Sequence, residues 1–428
     1  MIFLKNNKWL ITIVGLALIL RFAYLLLLHP PLTWADASMY DMTAWNLVNG
    51  NGYILTPGDN VWAGREPGYA LFFLAPIYLL FGHNILAAQI FQIFLSIGTI
   101  LLIYLIGAKF LNQQVGLISA AILAFWPADI AFGLEILTEI PFTFLLVLGI
   151  FLLLIAVKKK SYKLIFASGL ILGIATLTRF IAFFLPVFFL PVFYCFFRSY
   201  KQSLKYFALL FLGILIFTAP WFIRNYVQFN AFVFGRTGSG AIYWSGSYIP
   251  WDGEWRGYKA SPMKEILANI GNQDPIEHDR VFINETKKNI KENPLGVGKI
   301  WLKKPFKIFV NGAAGGQVGH SKTLVKITND NFFAKLLIMG GISILHRFLV
   351  VFGFFGLLWL FLTKERPIKY TILAVIIYFV IAYLPMNTDP RYQIPLIPFI
   401  AILGSIGIWS ITRIFLRQKY LMENYKNP

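Results

Sequence analysis

Gly68–Gly82 reads GYALFFLAPIYLLFG, and the topology of the whole chain turns on these 15 residues. They are apolar, yet a helix crossing a hydrocarbon core of about 30 Å needs roughly 20 residues at 1.5 Å each. Every crossing inverts the side on which the downstream loops fall, so charge can decide. If the segment lies in the interface, four basic runs share the side of Lys5 and Lys8: KKKSYK (158–163), RSYKQSLK (198–205), KERPIK (364–369) and RIFLRQKYLMENYK (413–426). That is the positive-inside pattern. If it crosses, all four oppose the N-terminus. The interfacial reading therefore predicts an all-α polytopic membrane protein of the cytoplasmic (inner) membrane, with about ten transmembrane helices and both termini cytoplasmic.

Composition supports this class. Of 428 residues 58% are hydrophobic and only 13% charged, with 42 Phe. The net charge of +19 sits mostly in short loops, so it reports topology rather than nucleic-acid binding. The single cysteine, Cys195, lies in an apolar run, which excludes a disulfide framework and a thiol metal site. The first apolar run continues to about Leu28, too long for the core of a cleaved signal, and reads as a retained helix. Spanning helices are expected near 9–28, 85–110, 115–133, 140–157, 162–178, 180–197, 205–223, 344–363, 369–386 and 393–412. Three regions follow: an N-terminal membrane domain, 1–223, with a first outer loop at 29–68; an outer-face loop region of mixed character, 224–343, after helix 7; and C-terminal helices with a basic cytoplasmic tail, 344–428.

The same parity places the scarce acids on the outer face. The first outer loop, HPPLTWADASMYDMTAWNLVNGNGYILTPGDNVWAGREP (29–67), carries Asp36, Tyr40, Asp41, Asp59, Arg65 and Glu66 between two membrane-embedded flanks. Interfacial helices are expected within it. GLEILTEIP (133–141) adds Glu135 and Glu139, TLTRF (176–180) adds Arg179, and the segment before the last helix adds Asp389 and Arg391. Arg179 lies between two apolar runs, where a cation is costly without a partner. Within 224–343, the stretch 274–294 reads as one amphipathic helix, and GVGKIWLKKPFKIFV (296–310) as an interfacial helix with its lysines toward headgroups or water.

With those residues assembled, the chain resembles the C-type glycosyltransferase superfamily, and within it the aminoarabinose lipid A transferases and protein O-mannosyltransferases. The likeness rests on Asp36, Tyr40, Ala44 and Gly50 after the first helix, and on Arg65-Glu66-Pro67-Gly68-Tyr69. It rests also on Thr138-Glu139-Ile140-Pro141, and more loosely on Arg179 and PRYQIPLIPF (390–399). The chain departs from the aminoarabinose enzymes in having Arg-Glu-Pro where they tend to have Glu-Lys-Pro. Its second acid is Glu rather than Asp, and the large soluble C-terminal domain of some members is missing.

The resemblance implies a membrane glycosyltransferase of the cell envelope, moving a sugar from a polyprenyl-phosphate donor to a lipid, glycan or protein acceptor on the outer face. It implies inversion at the anomeric carbon, with Asp36 as the catalytic base and Glu139 and Glu66 on the acceptor side. Arg65, Arg179 and Arg391 suit the donor phosphate, because a planar guanidinium pairs two phosphate oxygens. Tyr40 and Glu135 are supporting residues. The need for a divalent cation is open, with Glu66 as its candidate ligand. Each residue also has a plainer role: Asp36 as a helix N-cap, Glu66 and Glu139 as first-turn acids, Arg179 as a snorkelling cation, Arg391 as a helix-end anchor. His29, His83, His278, His320 and His346 show no ligand spacing, and GRTGSG (235–240) reads as a flexible loop rather than a phosphate-binding loop. Two other classes stay open, an envelope polysaccharide polymerase or ligase and a secondary transporter. The transporter would carry its charged and broken-helix features at mid-membrane.

Overall fold

The computed structural model describes residues 8–28, 35–58, 63–270, 274–311, 332–362 and 366–426, and the statements below concern these. Lys5, His29, Asp59, His320, most of the 364–369 basic run and residues 312–331 of the outer region lie outside the part whose side chains are described.

The protein is an all-helical polytopic membrane protein. Helices α1 (Lys8–Leu28), α2 (Ala35–Val48), α3 (Ala70–Phe81), α4 (Ile85–Phe110), α5 (Gln113–Ala124) and α6 (Pro127–Phe132) open the chain. Then come α7 (Glu139–Lys159), α8 (Tyr162–Thr178), α9 (Leu185–Phe197) and α10 (Tyr200–Phe229). Four helices form a covering module: α11 (Ser239–Ser247), α12 (Met263–Ile270), α13 (Pro275–Glu292) and α14 (Pro294–Phe306). The chain closes with α15 (Phe332–Leu362), α16 (Arg366–Tyr383) and α17 (Ile397–Lys426). Seven segments are long and apolar enough to cross a membrane, and α3, α5, α8 and residues 368–383 are shorter apolar helices.

Helix α3 begins with a π turn at Ala70–Leu74 and continues as α-helix through Pro76. At about 1.5 Å per residue it is some 18 Å long, short of a hydrocarbon core. One face (Tyr69, Ala70, Leu74, Tyr78) is buried, while Leu79 and Leu80 are 68% and 77% exposed. The buried face packs on α2, with the Tyr40 and Tyr69 rings edge-on at 5.4 Å and the Tyr78 hydroxyl donating to Asp41 at 2.5 Å.

Tight caps explain the basic loops. Helix α7 ends with Lys160 in the left-handed region (φ 52°), and the next residue, Ser161, caps α8 by accepting from the Leu164 amide at 3.3 Å. Arg198 and Ser199 repeat the device between α9 and α10. Small residues then allow close helix contact: Gly169 on α8 faces Gly213 on α10, where an added Cβ would meet Gly169 Cα at 2.8 Å.

The apolar run at 115–133 is not one helix. It stops at Ala124 and restarts at Pro127, because proline has no amide proton and its ring clashes with the carbonyl four residues back. The break buries Asp129 against Arg21 of α1 at 2.6 Å, and Ser96 Oγ donates to the same oxygen at 2.6 Å. Arg21 is fully buried and also donates to the Ala17 and Ala124 carbonyls. Helix interiors therefore do carry a buried ion pair.

Candidate active site

A cavity of about 930 Å³ lies where α2, the ends of α7 and α8, the α16–α17 connection and the covering module meet. Asp36, Tyr40, Arg65, Glu66, Glu139, Arg179 and Arg391 all line it. Glu135 does not; it is buried nearby, with its backbone carbonyl accepting from Gln92 Nε2 at 2.7 Å.

Local structure sets each side chain. Asp36 is in the first turn of α2, not before it, and its oxygens accept from arginines, so the simple N-cap reading is replaced. Gly68 packs against the Leu177–Thr178 backbone, leaving no room for a Cβ, which docks Arg65-Glu66-Pro67 onto the end of α8. There the Phe180 amide donates to Glu66 Oε1 at 3.4 Å. Glu139 starts α7, and Arg179 leaves the end of α8 in extended conformation to reach it at 2.7 Å. Asp389 caps the 3-10 turn Pro390–Leu396 by accepting from the Arg391 amide at 2.9 Å, and it also holds the guanidinium at 3.2 Å.

The result is an alternating lattice. Arg65 pairs with one Asp36 oxygen, and Arg391 approaches the other at 3.4 Å. Arg391 lies 3.9 Å from Glu139 Oε1, which Arg179 also binds. Burial raises the Asp36 carboxyl, but Arg65, then Arg391 and Arg236, outweigh it and hold its pKa below the ordinary aspartate range. Burial, and next Glu66, push the Tyr40 phenol well above its usual value, so it can donate a hydrogen bond but is no base near neutrality. Glu139 is 2% exposed, and its Oε2 has no hydrogen-bond partner among the described residues.

Arg236 was not anticipated. GRTGSG is a built turn rather than a flexible loop: Gly235 and Gly238 have φ of 77° and 84°, and the Thr237 amide donates to Ala63 O at 2.9 Å. This places Arg236 at 3.9 Å from Glu66, with Nη1 donating to Gly64 O at 3.3 Å. An arginine between conformationally permissive glycines was the available signal. Asp279 of α13 receives the Gly238 and Gly240 amides at 2.9 and 2.6 Å, which anchors the turn to the module and caps α11.

Apolar residues share the lining: Phe184, Phe188, Phe232, Phe234, Tyr378 and Ile381. Phe184 and Phe232 are 51% and 63% exposed. No three His, Cys, Asp or Glu side chains come together among the described residues. Glu66, the candidate cation ligand, has Arg236 and the Phe180 amide as neighbours.

Residues 65–223 match the family model for dolichyl-phosphate-mannose-protein mannosyltransferase. The fold extends the likeness over the whole chain. The apo crystal structure of the Archaeoglobus fulgidus oligosaccharyltransferase superposes with a TM-score of 0.57 at 12% identity, covering 98% of this chain and 52% of that one. The protein has the C-type glycosyltransferase fold. The archaeal oligosaccharyltransferase AglB from the same organism, in complex with an inhibitory peptide and a dolichol-phosphate, gives 0.52 at 12% identity, over 99% and 52% of the two chains. ArnT from Cupriavidus metallidurans bound to undecaprenyl phosphate gives 0.47 at 14%, over 94% and 78%. The chain thus spans about half the length of the oligosaccharyltransferase. No curated protein sequence matches it. The C-type resemblance read from the sequence is borne out at the level of fold and of the family model over 65–223.

Proposed function

We propose that the protein is a glycosyltransferase that moves a sugar from a polyprenyl-phosphate-linked donor to an acceptor at the outer face of the membrane. The observation that carries this is a cavity lined both by four arginines, Arg65, Arg179, Arg236 and Arg391, and by phenylalanines, of which Phe184, Phe232 and Phe234 are exposed. Such a lining suits an anionic headgroup on an isoprenoid tail.

In this reading Arg391, Arg179 and Arg65 hold the donor phosphate, and Arg236 assists. The acceptor hydroxyl attacks the anomeric carbon, the bond from that carbon to the phosphate oxygen breaks, and the lipid phosphate leaves with the bonding pair. Asp36 takes the hydroxyl proton. Glu139 and Glu66 orient the acceptor.

Sidedness follows from helix length. Glu139 opens α7, a 21-residue helix that Lys158–Lys159 close, about 30 Å away. The cavity and the basic loops therefore lie at opposite ends of α7, and the positive-inside rule assigns the basic end to the cytoplasm. The broken pair α5–α6 covers 20 residues, 113–132, and if that pair, α8 and 368–383 cross as well, the spans number ten.

The test is reconstitution of the purified chain in nanodiscs with radiolabelled polyprenyl-phosphate hexoses and pentoses and a membrane extract as acceptor source. Label is expected to pass to an acceptor as polyprenyl phosphate is released. Retention of all label on every donor overturns the reading, and transport of the intact donor without transfer would favour a carrier.

A further inference from the structure

We propose that Lys304 of the covering module is a positioning residue for Arg391, acting through the turn 384–389; this rests on the donor reading above. Helix α14 buries Val297, Ile300 and Lys304, so the lysine occupies the next place on an otherwise apolar stripe. It is 1% exposed. Its ammonium donates to Gly246 O at 2.8 Å, Leu384 O at 2.7 Å and Met386 O at 2.5 Å. An ammonium has three protons, and all three are used. Gly246 lies in the last turn of α11, while Leu384 and Met386 follow the end of α16. Helix C-termini leave carbonyls without amide partners and carry negative partial charge, so one buried cation serves two helix ends. Burial, and next Lys307, pull the Lys304 pKa down to about 7, while the three carbonyl contacts favour the charged form. The expectation that the 296–310 lysines face water or headgroups fails for Lys304.

The same turn is held by the module at further points. The Thr388 amide donates to Gly253 O at 2.8 Å, and Glu254 forms a parallel bridge with Thr388. Lys307 fixes that strip by donating to Asp252 Oδ2 at 2.6 Å and Glu254 Oε1 at 3.0 Å. Gly246 abuts the Pro385–Met386 backbone with no space for a side chain. The next residue after Thr388 is Asp389, the cap and carboxylate partner of Arg391. Met386, Tyr383 and Arg391 all line the cavity. The turn that aims the arginine is thus stapled to the covering module, and Lys304, which does not itself line the cavity, positions the donor pocket.

The test uses the full chain in nanodiscs with undecaprenyl phosphate as the probe, measuring its Kd for wild type, Lys304→Met, Arg391→Ala and the double variant. Lys304→Met is expected to weaken binding about tenfold, the equivalent of about 1.4 kcal/mol. The double variant is expected to bind no more weakly than Arg391→Ala alone. A merely structural role would make the two losses multiply, and that result overturns the proposal. Tight wild-type binding with Lys304→Met unchanged also overturns it, leaving the donor reading intact. Failure of the wild type to bind the probe rejects the donor reading, and this proposal with it. Should Lys304→Met not fold, Lys307→Met loosens the same strip from a partly exposed position. Its expected loss of about threefold must likewise vanish in the Arg391→Ala background, and persistence there overturns the proposal.

Discussion

Replacing Asp36 by asparagine separates proton transfer from every other service the residue gives. Asparagine keeps the size of the side chain and one acceptor oxygen but cannot take a proton near neutrality. Two guanidinium contacts weaken: the pair with Arg65, and the 3.4 Å contact with Arg391. The Asp36 side chain is 29% exposed and Arg391 keeps Asp389, so the stability cost is held to about 1–2 kcal/mol. Loss of a general base is expected to lower turnover by about 10²–10⁴-fold. Binding of undecaprenyl phosphate is expected to hold or to tighten, because a negative charge that competes for Arg65 and Arg391 has gone. The assay is turnover with labelled donor, probe affinity and thermal stability, measured side by side in nanodiscs. A stable variant with near-normal turnover refutes Asp36 as the base and transfers that role to Glu66 or Glu139. Weakened probe binding would refute the view that Asp36 and the phosphate share the same arginines.

Four further outcomes are expected. The lowered pKa of Asp36 puts the acid limb of kcat/KM below the usual carboxylate range, and Arg65→Ala should move that limb to higher pH. For stability, the depressed folded-state value means the contribution is present above the unfolded-state pKa of about 3.9 and lost as pH falls through the lower folded-state value; a pH series of Tm checks the sign. Arg179→Ala should weaken undecaprenyl phosphate binding by roughly 1.5–3 kcal/mol, with Arg179→Lys restoring only part of it, as read by titration calorimetry. With Cys195 removed, a cysteine at Lys159 should resist an impermeant thiol reagent in intact cells; its labelling would invert the proposed topology.

The charged lining of the cavity was legible where charge is scarce. In a chain only 13% charged, Asp36, Glu66 and Glu139 stood out beside apolar runs, and hydrophobic length located α4 to the residue. The contacts that needed tertiary placement were not legible. Arg21 and Asp129 meet across 108 positions, and the pair is visible only once Pro127 breaks the apolar run between Ala124 and Phe132. Arg236 was hidden in a glycine turn whose positive φ values no apolar pattern encodes. Lys304 looked like its neighbours Lys303 and Lys307, because helical period gives a face but not what covers it; here the cover is a pair of helix ends.

These contacts bear on how the proposed reaction would be timed. Each of the four arginines lining the cavity already has a carboxylate within 3.9 Å, so an entering phosphate would exchange with a carboxylate rather than fill a free site. Asp36 sits between two of those arginines and is a weak base while both hold it. A phosphate that draws Arg391 toward itself relieves that hold and raises the basicity of Asp36. Donor binding and base activation are then one linked equilibrium, and linkage is reciprocal: whatever protonates or neutralises Asp36 must also favour the phosphate. An acceptor arriving first would meet a carboxylate with little appetite for its proton. In the proposed reaction the lattice would favour donor before acceptor, and would keep Asp36 a weak base until there is an anomeric carbon for the acceptor to attack.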